Sequence, residues 1–101
     1  MCSRDKITAM PPRWVESAFK HGVSQADQMW AMLHPNYQAD LPGESRDDGT
    51  VRLIIAHPHA HTNREREVLI NVYPNERESA VFHAMELVSK FRRYREDNPN
   101  G

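Results

Sequence analysis

The sequence predicts a small α+β protein: two short N-terminal helices, a three- to four-stranded antiparallel meander, and a C-terminal helix packed on the sheet. Three observations carry that prediction. Apolar residues fall at helical spacing near both ends of the chain. Aliphatic runs bounded by turn residues lie between them. A length of 101 residues has room for one hydrophobic core.

Residues 1–10 read as a flexible arm, 11–97 as the domain and 98–101 as a flexible tail. Pro11-Pro12 marks the boundary, and Pro12 suits the first turn of a helix. Within 13–20, Val15, Ala18 and Phe19 have helical spacing, with Trp14 beside them, and Gly22 after His21 supplies a left-handed stop. Ser24 with Asp27 three residues on forms a cap for the second helix, whose stripe is Ala26, Met29, Trp30 and Leu33. Pro35 ends it. Residues 37–39 read as a short edge strand, and Asp48-Gly49 closes a turn-rich stretch. Residues 51–56 are a strand, with Leu53-Ile54-Ile55 predicting burial on both faces. A second strand covers 68–73 and ends at Pro74-Asn75, and a third covers 79–83. Ala84, Leu87, Val88 and Phe91 then stand at i, i+3, i+4 and i+7, which predicts an amphipathic helix to about residue 96. Short hairpins favour antiparallel pairing, and the helices are expected to cover one sheet face.

Composition narrows the function. Thirteen basic and fourteen acidic residues leave a net charge of −1 with histidines neutral, so contact with RNA would have to come from a local patch. No apolar run is long enough to span a bilayer. The start Met1-Cys2-Ser3-Arg4 leads into no apolar stretch, so a cytoplasmic protein without a secretory signal is expected. A single cysteine, Cys2, forms no internal disulfide and reads as an accidental thiol.

Several polar residues invite a functional reading. His57, His59 and His61 alternate, so an extended segment would aim three imidazoles one way. Pro58 and the lack of cysteine or HExxH ligands favour a solvated loop, and no resident metal or cofactor is predicted. Arg64-Glu65-Arg66-Glu67 places two arginines on one side of an extended chain and two glutamates on the other. The plainer reading is a salt-bridged, solvated edge; the functional one is that Arg64 and Arg66 hold phosphate. His83, expected where the third strand becomes the last helix, is a candidate general acid or base, although a lone histidine is more often structural. Lys90 lies seven residues on, and Tyr94 offers an aromatic surface. Arg92, Arg93 and Arg95 complement the helix dipole, with Arg93 also a phosphate-binding candidate. His21 and His34 each end a helix and take the same structural reading.

Taken together, Lys20-His21-Gly22-Val23-Ser24 with His34-Pro35, the strands at 53–55 and 68–73, and Val81-Phe82-His83-Ala84-Met85 with Lys90-Phe91 resemble BrnT-type toxins and their actinobacterial relatives over about residues 13–93. The resemblance implies a RelE-like ribonuclease fold and a type II toxin that cleaves RNA without metal. Its partner would be a cognate antitoxin, in a heterotetramer or beside a toxin homodimer. The general family ending carries an arginine where this chain has Met85, so the catalytic roles would fall to His83 and Lys90, helped by Arg64 or Arg66. The alternative is a non-catalytic binding module of the same fold that engages a protein partner.

Overall fold

The computed structural model describes residues 12–45, 49–59, 62, 64–73 and 78–101. The expected arm with Cys2, the expected reversal at Asp48 and break at Pro74-Asn75, and His61 lie outside them. Among the described residues five strands form one sheet: β1 (Arg13–Trp14), β2 (Tyr37–Leu41), β3 (Thr50–Ala56), β4 (Arg66–Val72) and β5 (Ala80–Glu86). Their order is β1-β5-β4-β3-β2. Neighbours from β2 to β5 are antiparallel, and β1 lies parallel to β5. A 3-10 turn (Glu16–Phe19) and helix α1 (Gln25–Leu33) follow β1, and α2 (Ser89–Asp97) closes the fold.

The α+β class and the antiparallel meander match the expectation. Three details differ, each for a physical reason. Where 13–20 was expected to be helical, Arg13 and Trp14 are a strand and only the 3-10 turn follows. Eight residues make a weak helix in water, whereas here the Arg13 and Val15 amides donate to Ser79 O at 2.8 Å and Val81 O at 3.0 Å. At the other end, β5 runs on to Glu86, and α2 starts at Ser89 instead of 84. The ladder to β4 pairs Ala84, Met85 and Glu86 with Val68, Glu67 and Arg66, and a helix begun at 84 would forfeit those bonds. The apparent stripe is a strand residue, Ala84, followed by Leu87 and Phe91 on a different cluster.

The third difference concerns layering. Ile54, Ala56, Val68, Ile70, Val81 and Ala84 pack with Ala18, Val23 and Ala31 from the 3-10 turn and α1. Leu53, Ile55, Tyr37, Ala39 and Leu41 pack instead with Leu87 and Phe91 at α2. Alternation along β3 thus feeds two cores, and the helices cover opposite sheet faces, not one. The unbroken Leu53-Ile54-Ile55 run is the sequence sign of this: all three are buried.

Ser24 caps α1 as expected, its hydroxyl accepting from the Asp27 amide at 3.1 Å. Gly22, at φ +80°, turns the chain out of the 3-10 segment. Gln28 is fully buried under that segment: its amide nitrogen donates to Ala18 O at 2.9 Å and Val23 O at 2.8 Å, and its oxygen accepts from the Trp14 indole at 3.0 Å.

Candidate functional site

Glu67 and Leu69 on β4 and His83 and Met85 on β5 belong to the sheet face that α2 caps, because Arg66, Val68 and Ile70 alternate onto the other face. A register shift between Leu69 and Ile70 leaves Phe82 without an opposite residue on β4, and the Ser17 hydroxyl donates to its carbonyl at 2.6 Å.

Glu67 is 1% exposed, a carboxylate in the core. One oxygen lies 2.8 Å from His83 Nε2 and the other accepts from the Val88 amide at 3.0 Å. Val88 is the residue preceding α2, so the carboxylate also sits at the positive end of that helix. A carboxylate held there orients the ring of His83 and accepts from Nε2, which in a neutral imidazole leaves the lone pair on Nδ1. The His83 side chain keeps 24% of its surface exposed. The ring of His21, beyond the 3-10 turn, meets it edge-on with 5.6 Å between centroids. Such a group can take a proton from a bound hydroxyl.

On the same face opens a groove of about 560 Å³, lined by Arg13, Ser17, Val51, Asn71, Tyr73 and Phe82 among others. That volume is in the range that holds a small organic ligand.

The other predicted residues do not converge on His83. Lys90, in the first turn of α2, holds its ammonium 5.1 Å from the centroid of the Phe91 ring. It opens on a separate cavity of about 210 Å³ with Leu41, Pro42 and Tyr94, toward β2 at the far edge of the sheet. Arg64 precedes β4 and reaches Glu86 at 3.7 Å; Arg66 bonds the Arg64 carbonyl at 3.3 Å from the opposite sheet face. Arg93 is exposed on α2. Arg64 instead shares a polar cavity of about 220 Å³ with Arg92 and Glu86. Nδ1 of His57 lies 3.3 Å from the Asn36 amide nitrogen, and among the described residues no group of three His, Cys, Asp or Glu side chains is placed to hold a metal ion.

Sequence reading missed Glu67 and the pairing of His21 with His83. The alternation Arg64 to Glu67 does separate glutamate from arginine, but Glu67 faces the core, not water. The aliphatic run Val68-Leu69-Ile70 does not by itself mark Glu67 as buried, since β4 opens on half-buried Arg66 and Leu69 is half-buried too.

Glu65, just before β4, makes a second network. Arg95 binds it with two contacts of 2.9 and 3.0 Å, and the Asn36 amide donates at 3.0 Å. Hydrogen bonding from Arg95, then from Asn36, holds the Glu65 carboxyl below its usual range against an opposing push from burial; the same contact raises the Arg95 guanidinium. Tyr37 donates to Asn98 O at 2.6 Å, and burial pushes its phenol up. Both contacts tie α2 to the sheet. A carboxyl lowered in the folded state stabilises above its unfolded value and loses that contribution as pH falls through the folded one. Glu65→Gln is therefore expected to cost about 1 kcal/mol at neutral pH, with the gap to wild type closing in acid; urea midpoints at pH 7 and below pH ~4 check it.

No protein-family model, curated protein or solved structure matches the chain. Among the described residues no helix is long and apolar enough to cross a membrane.

Proposed function

We propose that the chain is an RNA-cleaving toxin of a type II toxin–antitoxin pair, acting without metal, with His83 as its acid–base residue. The observation that supports it best is the Glu67–His83 contact, in which a buried carboxylate orients a ring that still reaches solvent. The motif resemblance from Lys20 to Phe91 supplies the reaction class. In that reading His83 takes the proton of a ribose 2′-hydroxyl as it attacks phosphorus. The groove beside Phe82, with Tyr73, Asn71 and Arg13, offers stacking, amide and cationic contacts to a nucleotide. Lys90, Arg64, Arg66 and Arg93 would meet phosphates farther along the strand.

The test is cleavage of labelled RNA by the purified chain in excess chelator. His83→Gln retains a donor toward Glu67 and is expected to fold normally while losing at least about 100-fold in rate. Undiminished cleavage by His83→Gln removes the assignment. A non-catalytic module that binds a protein partner is the second reading, favoured by the exposure of Phe19, Trp30 and Leu33. It expects high-level expression without an antitoxin to be harmless, where the toxin arrests growth.

A further inference from the structure

We infer that His21 is the second acid–base residue of the site, the general acid that completes what His83 begins. This rests on the ribonuclease reading above and adds to it a residue whose sequence setting pointed only to a helix end.

The approach of the two rings, 5.6 Å between centroids at an interplanar angle of 70°, is built into the backbone. The Val15 amide and the Ser17 hydroxyl both bond carbonyls of β5, at Val81 and Phe82, on the residues just before His83. The 3-10 turn is thereby laid along β5, and the two residues that leave it set His21 beside His83 before Gly22 redirects the chain. The two imidazoles differ in setting. His83 is mostly covered and tied to Glu67, whereas His21 is exposed and its ring makes no hydrogen bond among the described residues. A base is served by the first environment, since the carboxylate orients the ring and stabilises the imidazolium that forms. An acid that must reach a departing oxygen is served by the second.

The step balances within the RNA and the two rings. The 2′-oxygen forms a bond to phosphorus and its proton passes to Nδ1 of His83. The bond from phosphorus to the 5′-oxygen breaks, and protonated His21 gives that oxygen its proton. The products are a 2′,3′-cyclic phosphate and a 5′-hydroxyl, and the rings have exchanged protonation states.

A substrate whose leaving group needs no proton separates this role from a structural one. Cleavage of a dinucleotide and of uridine 3′-(4-nitrophenyl phosphate) is compared for wild type, His21→Ala and His83→Gln, with thermal unfolding as the check on folding. His21→Ala is expected to lose at least about 100-fold on the dinucleotide yet stay within about threefold of wild type on the nitrophenyl ester, while His83→Gln loses on both. Equal losses of His21→Ala on both substrates, or none on the dinucleotide, overturn the assignment and leave the ribonuclease reading standing. Failure of the wild type to cleave either substrate overturns both.

Discussion

Glu67→Ala is expected to cost about 3 kcal/mol of folding stability, and Glu67→Gln less than about 1 kcal/mol. Alanine strands the Val88 amide and the His83 ring beside a cavity where both oxygens were used. Glutamine keeps both contacts: its oxygen accepts from Val88 and its amide donates to His83. The amide, however, demands a lone pair on Nε2 and so moves the imidazole proton to Nδ1, the nitrogen needed as base. Glu67→Gln should therefore fold like wild type and cleave RNA at least about tenfold more slowly. Urea unfolding midpoints check the first statement and single-turnover cleavage the second. Full activity in Glu67→Gln would show that the carboxylate is structural only.

Gln28→Leu should lower the melting temperature by about 10–20 °C, the equivalent of 2–4 kcal/mol in a domain of this length. Leucine fills the space but leaves the carbonyls of Ala18 and Val23 and the Trp14 indole without partners in the core. Trp14→Phe removes a single contact and should cost about 1 kcal/mol. The loss in Gln28→Leu should be accompanied by faster amide exchange across 15–23, since this one side chain ties the segment to α1. Because the same segment carries His21, Gln28→Leu should weaken its contact with His83 as well; loss of ring-proton contacts between the two histidines in NMR would register it.

The parts of the fold that were legible in the sequence are those governed by neighbours in the chain. Ser24 with Asp27, the stop at Pro35 and the period of α1 are local, and they predicted a helix that stands at Gln25–Leu33. The aliphatic runs of β3 and β4, with the turn residues before the first and after the second, predicted antiparallel pairing, which is what forms. Segment 13–20 was misread because the fate of its first residues depends on β5 and the residue before it, more than sixty positions away: the Arg13 and Val15 amides are satisfied by Ser79 and Val81, and the bonds made within the segment, Ala18 to Val15 and Lys20 to Ser17, close only a 3-10 turn. The Ala84-to-Phe91 spacing misled for a similar reason. A strand that bends into a helix can reproduce i, i+3, i+4, i+7 by chance, and only the ladder to β4 distinguishes the two.

The candidate site follows the same division. The sequence by itself determined the α+β class, the helix around Ala26 to Leu33, the meander, and His83 as the residue to examine. Only the tertiary structure decided what surrounds His83, because sheet alternation sends Arg66 to one face and Glu67 to the other, and a bulge and a 3-10 turn bring up His21. Residues far apart in the chain meet through hydrogen-bond register, and register is a property of the paired strands, not of either strand alone.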